Sequence, residues 1–243
     1  MRQGFQGLRD ALGIGGRPPR AVAGLLLAML AASAVAWGSA PGGLGSMLTL
    51  WPSRVLEGEV WRLVTWPLVQ PSLWTLLFVG ITLWWLGTQL VGDWGERTFL
   101  LRLIAIAAGA GIVTSVLGLL WPAVDVPHPG GWAVTVALLL AFGLLHPGAQ
   151  MSFFGLVPLN GRLLARLIVF GAVLLAIFDG LAHVVPHLAA MAIAWLQVTG
   201  RTGGRRLWLR ARQRWLEAKL ARRRRHLRTV GRNGEDDPPR WAS

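Results

Sequence analysis

Six apolar segments, almost free of charge, follow one another between residues 21 and 198, and no other property constrains the fold as strongly. They lie at residues 21–37, about 73–90, about 99–121, 132–145, about 163–178 and about 188–198. A helix crosses a hydrocarbon core about 30 Å thick with roughly 20 apolar residues, so segments of this size read as transmembrane helices. Composition agrees, since 53% of residues are hydrophobic, only 14% are charged and mean hydropathy is +0.50. A soluble domain would carry about a quarter charged residues. The expected class is an all-α, multi-pass membrane protein. The fourth and sixth segments are short, which suits helices enclosed by a bundle better than helices facing lipid.

Six crossings put both ends of the chain on one side, and arginine says which. Arg2, Arg9, Arg17 and Arg20, the turn at 92–97 with Arg102, the pair Arg162 and Arg166, and the tail alternate with arginine-poor loops at 121–130 and 179–187. The positive-inside rule then makes both termini cytoplasmic, in the cell inner membrane if the source is bacterial. Residues 1–20 become a cytoplasmic N-terminus, 21–200 the membrane domain and 201–243 a cytoplasmic tail. A competing reading of the first segment is a cleaved signal peptide, given its basic start and the small residues Ala34, Ala36, Gly38, Ser39 and Ala40.

The tail holds 14 Lys+Arg against 4 Asp+Glu, a net of +10 out of the chain's +13. Over about 205–228 it reads as a helix. Trp208, Trp215, Leu216, Leu220 and Leu227 form one narrow apolar stripe among arginines. Such a helix suits the anionic inner leaflet, each basic residue contributing about 1 kcal/mol near the surface. Nucleic acid is a weaker candidate partner, because a membrane-tethered arm already accounts for the charge. Residues 231–243 read as disordered.

The loop at 41–71, with Trp51, Trp61 and Trp66, reads as an amphipathic element lying at the interface. The chain has 14 tryptophans and no tyrosine, so any aromatic belt is built from indole alone. It has no cysteine, which removes disulfides, thiol catalysis and thiolate metal sites together. No cofactor motif is evident: Gly13, Gly15 and Gly16 lack the strand that precedes a phosphate-binding loop.

The stretch from His128 to Pro147 opens on Gly130 and Gly131 and closes on His146-Pro147. It resembles the fourth transmembrane helix of the rhomboid family, the intramembrane serine proteases and their inactive relatives. The resemblance covers about 58–200. It includes the Trp61-Arg62 loop, the turn Gly87-Thr-Gln-Leu90 and Trp94-Gly95, and the entry Ala182-His-Val-Val-Pro-His187 to the sixth span. It implies a six-transmembrane-helix rhomboid-like bundle with an interfacial first loop and a basic amphipathic C-terminal tail.

Rhomboid fourth helices usually open Gly-x-Ser-Gly, and here the same place reads Gly130-Gly131-Trp132-Ala133. Position by position, the family's nucleophile falls on Trp132 and its catalytic histidine on His187. Its oxyanion-stabilising pair in the second span falls on Thr75 and Val79. Acyl transfer needs an ionisable hydroxyl beside a base and donors aimed at the oxyanion. Indole supplies one N–H and no nucleophile, and valine supplies neither. Trp132 is also expected to fill the cavity where substrate and water would meet. The resemblance therefore implies a pseudoprotease that binds transmembrane helices or membrane-protein clients without cleaving them, with Trp61 and Arg62 on a partner-facing loop.

Two alternatives remain open. Thr135, one turn beyond Trp132, could substitute for the serine of an intramembrane protease, although a threonine in a membrane helix more often bonds its own backbone. Asp179, His183 and His187 recur every four residues and could hold zinc or iron in a membrane hydrolase or transporter. Against that, Gly180 and Pro186 argue that Asp179 and His183 lie in a wet outer loop. His128 and His146 read as punctuation at the two ends of the fourth span. Gly109, Gly111, Gly171 and Ala172 read as small faces for helix packing.

Overall fold

The computed structural model describes residues 17–39, 43–153 and 157–200. The residues before 17 and the basic tail helix expected at 205–228, with its disordered end, lie outside the described residues. The chain begins with α1, Arg20–Gly38, followed by three short helices, α2 (Leu44–Leu48), α3 (Pro52–Leu56) and α4 (Arg62–Thr65), the last running into a 3₁₀ turn at Trp66–Leu68. Next come α5 (Leu73–Trp94), α6 (Glu96–Leu120), a 3₁₀ turn at Pro122–Val124 and α7 (Trp132–Leu145). A two-stranded antiparallel hairpin, β1 (Gln150–Phe153) against β2 (Val157–Asn160), leads into α8 (Gly161–Phe178) and α9 (Leu181–Gly200). Among the described residues, α1, α5, α6, α8 and α9 are long and apolar enough to cross a membrane, and α7 is a shorter apolar helix. The protein is an all-α membrane protein.

Capping and glycine geometry set several of these boundaries. Ser72 accepts the Thr75 amide and starts α5, and the Asn160 side chain accepts the Leu163 amide and starts α8. Gly95, at φ +78°, turns the chain sharply between α5 and α6, and Arg102 lies 3.9 Å over the Trp94 ring across that turn. Backbone of this handedness strains any residue with a Cβ.

One span boundary and one connection differ from expectation. The sixth span starts at Leu181 instead of about 188, because Gly180, at φ +83°, ends the previous helix and lets the next begin at once. Pro186 lies within α9, where its missing N–H forfeits one backbone bond without ending the helix. His183 is therefore helical and not in a loop. The hairpin at 150–160 was also not expected, and its register pairs Gln150 with Asn160 and Phe153 with Val157.

Helix α7 is the axis of the bundle. Nine of its 14 residues are buried. It is enclosed by α5, α6 and α8, as a helix too short to span should be. Close approach depends on small residues. A Cβ at Gly143 would meet Gly161 O at 2.6 Å, joining α7 to α8, and one at Gly109 would meet Ile193 Cδ1 at 2.6 Å, joining α6 to α9. Gly111 faces Leu63 of the loop. Ala172 is buried, whereas a Cβ at Gly171 would meet nothing within 4 Å among the described residues.

The loop before α5 is three short helices knitted by side chains instead of one amphipathic element. Four successive carbonyls at the end of α2, those of Ser46, Met47, Leu48 and Thr49, accept bonds from Arg62, Trp61, Thr65 and Arg62 respectively. Short helices leave their last carbonyls orphaned, and here the 61–65 segment satisfies them. Trp66 is fully buried and donates from Nε1 to Ala107 O on α6 at 3.2 Å. Ser33 of α1 donates to Leu68 O at 3.2 Å and accepts the Gln70 amide at 3.0 Å, tying the first span to the loop.

Candidate functional site

The chain enters α7 through a turn in which two glycines act for different reasons. Gly130 sits at φ +109°, a conformation strained for residues with a Cβ. Gly131 has ordinary dihedrals, but a Cβ there would meet Pro67 O at 2.5 Å and Gln70 Nε2 at 2.8 Å. The turn is anchored to the first loop. His128 and Leu50 exchange backbone bonds at 2.7 and 3.3 Å, and Asp125 accepts the Ser53 amide at 2.9 Å.

Around this turn lies a cavity of about 230 Å³. Trp132 at the start of α7 and His187 on α9 both line it, together with His128, His183 and Asp179. Trp66 and the prolines at 127, 129 and 186 complete much of the wall. Trp132 thus borders a cavity and does not fill it. Its ring turns partly toward α5, with its centroid 5.7 Å from that of Phe78, and it packs against the buried Met29, Leu76 and Val79.

Three of the chain's five histidines meet here. His128 is buried, its Nε2 lies 3.0 Å from Val124 O, and its ring centroid is 6.4 Å from that of His183. Burial holds the His128 imidazole below its ordinary value and outweighs the Val124 carbonyl, which acts in the opposite sense. Smaller effects come from His183, which lowers it further, and Asp125, which raises it. Held neutral in this way, the His128 imidazole is a proton acceptor at neutral pH.

Other expected site residues stand apart. Thr75 is turned to the start of its own helix, its hydroxyl 2.9 Å from that of Ser72. Val79 is buried behind Trp132 and lines a different cavity. Thr135 donates to Gly131 O at 2.8 Å and is buried in the α7 interior. Trp61 is half exposed, whereas Arg62 is 4% exposed and spends its guanidinium on Ser46 O, Thr49 O and the Glu59 carboxylate. The structure therefore puts Trp61 at the surface and withdraws Arg62 from any partner-facing role. Asp179, His183 and His187 share the cavity, yet among the described residues no three His, Cys, Asp or Glu are arranged to hold a metal ion. His146, expected as punctuation, stacks on Phe142 at 4.6 Å and reaches Asp93 Oδ2 at 3.3 Å.

His128 is the member of the cluster that sequence reasoning missed. Span parity could have found it. The loop between spans three and four and the entry to span six must emerge on the same side, which brings His128 toward His183 and His187.

One family model, described as eukaryotic integral membrane protein (DUF1751), matches residues 21–197. The chain belongs to that family. The match runs from α1 into α9 and so takes in the whole membrane domain and the histidine cavity. No curated protein matches the chain. The DUF1751 description states membrane integration and names no activity, and no rhomboid family model matches. Its eukaryotic label lends nothing to a bacterial inner-membrane placement.

Proposed function

We propose that this DUF1751 member is a rhomboid-like membrane protein that binds transmembrane segments of other proteins without hydrolysing them. Both termini face the cytoplasm in this reading, following the arginine pattern. One observation carries it. The described residues lining the cavity beside His187 include no serine, threonine or cysteine, and Trp132, where the rhomboid resemblance puts the nucleophile, is among them. Thr135 is engaged with a carbonyl of its own helix. Without a hydroxyl or thiol beside the base, the covalent acyl-enzyme step of a serine-type protease has no starting point. The half-exposed Trp61 and the apolar outer faces of α5 and α8 offer the lateral surface for a client span.

The test uses full-length protein purified in detergent. It is incubated with a fluorophosphonate probe and with a single-span reporter carrying a helix-destabilised segment, then reconstituted with the same reporter for energy-transfer binding. The expected result is no labelling and no cleavage, with saturable association of the reporter. Labelling or cleavage abolished by His187→Ala would overturn the reading in favour of a protease with another nucleophile. Absence of both cleavage and association would remove the client-binding function.

A further inference from the structure

A second cavity, separate from the histidine site, lies between α1, α5, α6, α7 and the first loop, with a volume of about 230 Å³. Its wall is hydrocarbon almost throughout, from residues such as Met29, Val79, Leu83, Leu103 and Leu138. The one hydroxyl on it, that of Thr135, is already bonded to Gly131 O. An apolar cavity of about 150 Å³ excludes water and accepts a hydrocarbon guest, so this larger one has no use for polar ligands.

Shape and mouth narrow the guest. The α6 lining runs from Leu100 to Ala107 and the α7 lining from Gly131 to Leu138, each about 10 Å of helix axis at 1.5 Å per residue. The cavity therefore reaches about 10 Å along these two helices, the direction in which lipid tails run. At its edge Ile104 on α6 and Val64 on α4 line the cavity and are also 44% and 41% exposed. The wall is continuous there with the apolar outer surface of a membrane-spanning helix. The medium at that surface is acyl chain.

We infer that this cavity is a binding site for one acyl chain of a bilayer phospholipid, inserted past Ile104 and Val64 between α6 and the first loop. Met29 forms part of the inner wall, its terminal methyl 3.6 Å from where a Cβ at Gly80 would lie, and its unbranched side chain can re-pack around a guest. Bound lipid would brace α1 against α7 and the loop. The inference stands apart from client binding, because it concerns a different cavity and needs no partner protein.

The experiment reconstitutes the full chain in vesicles of phosphatidylcholine doped with a diazirine-tailed phosphatidylcholine, followed by peptide mapping after illumination. Adducts are expected on Met29, Leu83 and Leu103, inside the cavity, above those on the lipid-facing Leu167 and Phe170 of α8. Ala107→Leu and Val79→Leu, which fill the cavity from two walls, should return the inner adducts to the level of α8. For the unmodified protein, thermal unfolding after delipidation should fall and recover on adding phosphatidylcholine but not its soluble headgroup. Adducts spread evenly over all apolar faces, or unchanged by both fillers, overturn the inference. So does labelling of the cavity by a photo-leucine transmembrane peptide but not by lipid, which would assign it to a protein side chain.

Discussion

Truncating Arg62 to alanine tests whether the Trp61-Arg62 segment is an internal brace. The Arg62 guanidinium serves two α2 carbonyls and the Glu59 carboxylate from a side chain only 5% exposed. A hydrogen bond involving a charged group contributes about 1.5–3 kcal/mol, and an acceptor left buried without a donor costs about 1–3 kcal/mol. Partial access of water through the Glu59 side chain, 28% exposed, lowers the sum, leaving about 3 kcal/mol, within the range for breaking a buried pair. Every 1.4 kcal/mol is tenfold, so the folded-to-unfolded ratio of the loop falls by about a hundredfold or more. The assay is equilibrium unfolding in detergent, followed by limited proteolysis within 44–68. Arg54→Ala is the internal control, because the Arg54–Glu57 pair is exposed on both sides and such pairs contribute about 0–1 kcal/mol. Arg62→Lys keeps the charge but loses the fork, and should fall between the two. If Arg62→Ala and Arg54→Ala unfold alike, the bracing argument is wrong.

Gly131→Ala should destabilise by about 1–3 kcal/mol through overpacking against Pro67 O and Gln70, read as a lower midpoint of thermal unfolding. Gly148→Ala, a loop glycine with nothing within 4 Å, should leave that midpoint unchanged. Stability should also depend on pH through His128. Its folded value lies below the unfolded 6.5, so protons bind the unfolded chain preferentially. The contribution is fully present above about pH 6.5 and is lost as pH falls from there through the folded value. Unfolding midpoints at pH 8, 7, 6 and 5 should show that decline, and His128→Gln should make it shallower. Thr135→Val removes one helix-internal hydrogen bond, so it should cost no more than about 1 kcal/mol and leave fluorophosphonate reactivity at the wild-type baseline.

The membrane class and most of the helices were legible because long apolar runs and glycine–proline punctuation are local signals. α7 begins at Trp132 and ends at Leu145, as its flanking Gly130-Gly131 and His146-Pro147 imply. The start of α9 was hidden because Pro186 and three polar residues mimic a loop, and helical tolerance of a proline in the second turn depends on packing that sequence does not display. The meaning of Arg62 was hidden for a related reason. A Trp-Arg pair beside an apolar run looks like an interface motif until the α2 carbonyls it satisfies are in place. Those acceptors lie 13 and 16 residues upstream, and no pattern in the sequence marks a carbonyl as orphaned.

The histidine cavity itself follows from the length of α7. Fourteen residues make a helix of about 21 Å, short of a hydrocarbon core of about 30 Å. The interior beyond the start of α7 must then be closed by something other than that helix. Here it is closed by the segment 121–131, strapped to the first loop by the Leu50–His128 pairing, and by the first turns of α9. Extending α7 backward would need helical geometry at Gly130 and Gly131, where one residue has positive φ and the other has no room for a side chain. The two glycines therefore fix the helix length, the helix length creates the cavity, and the cavity brings His128 to a pair of imidazoles more than fifty residues further along the chain.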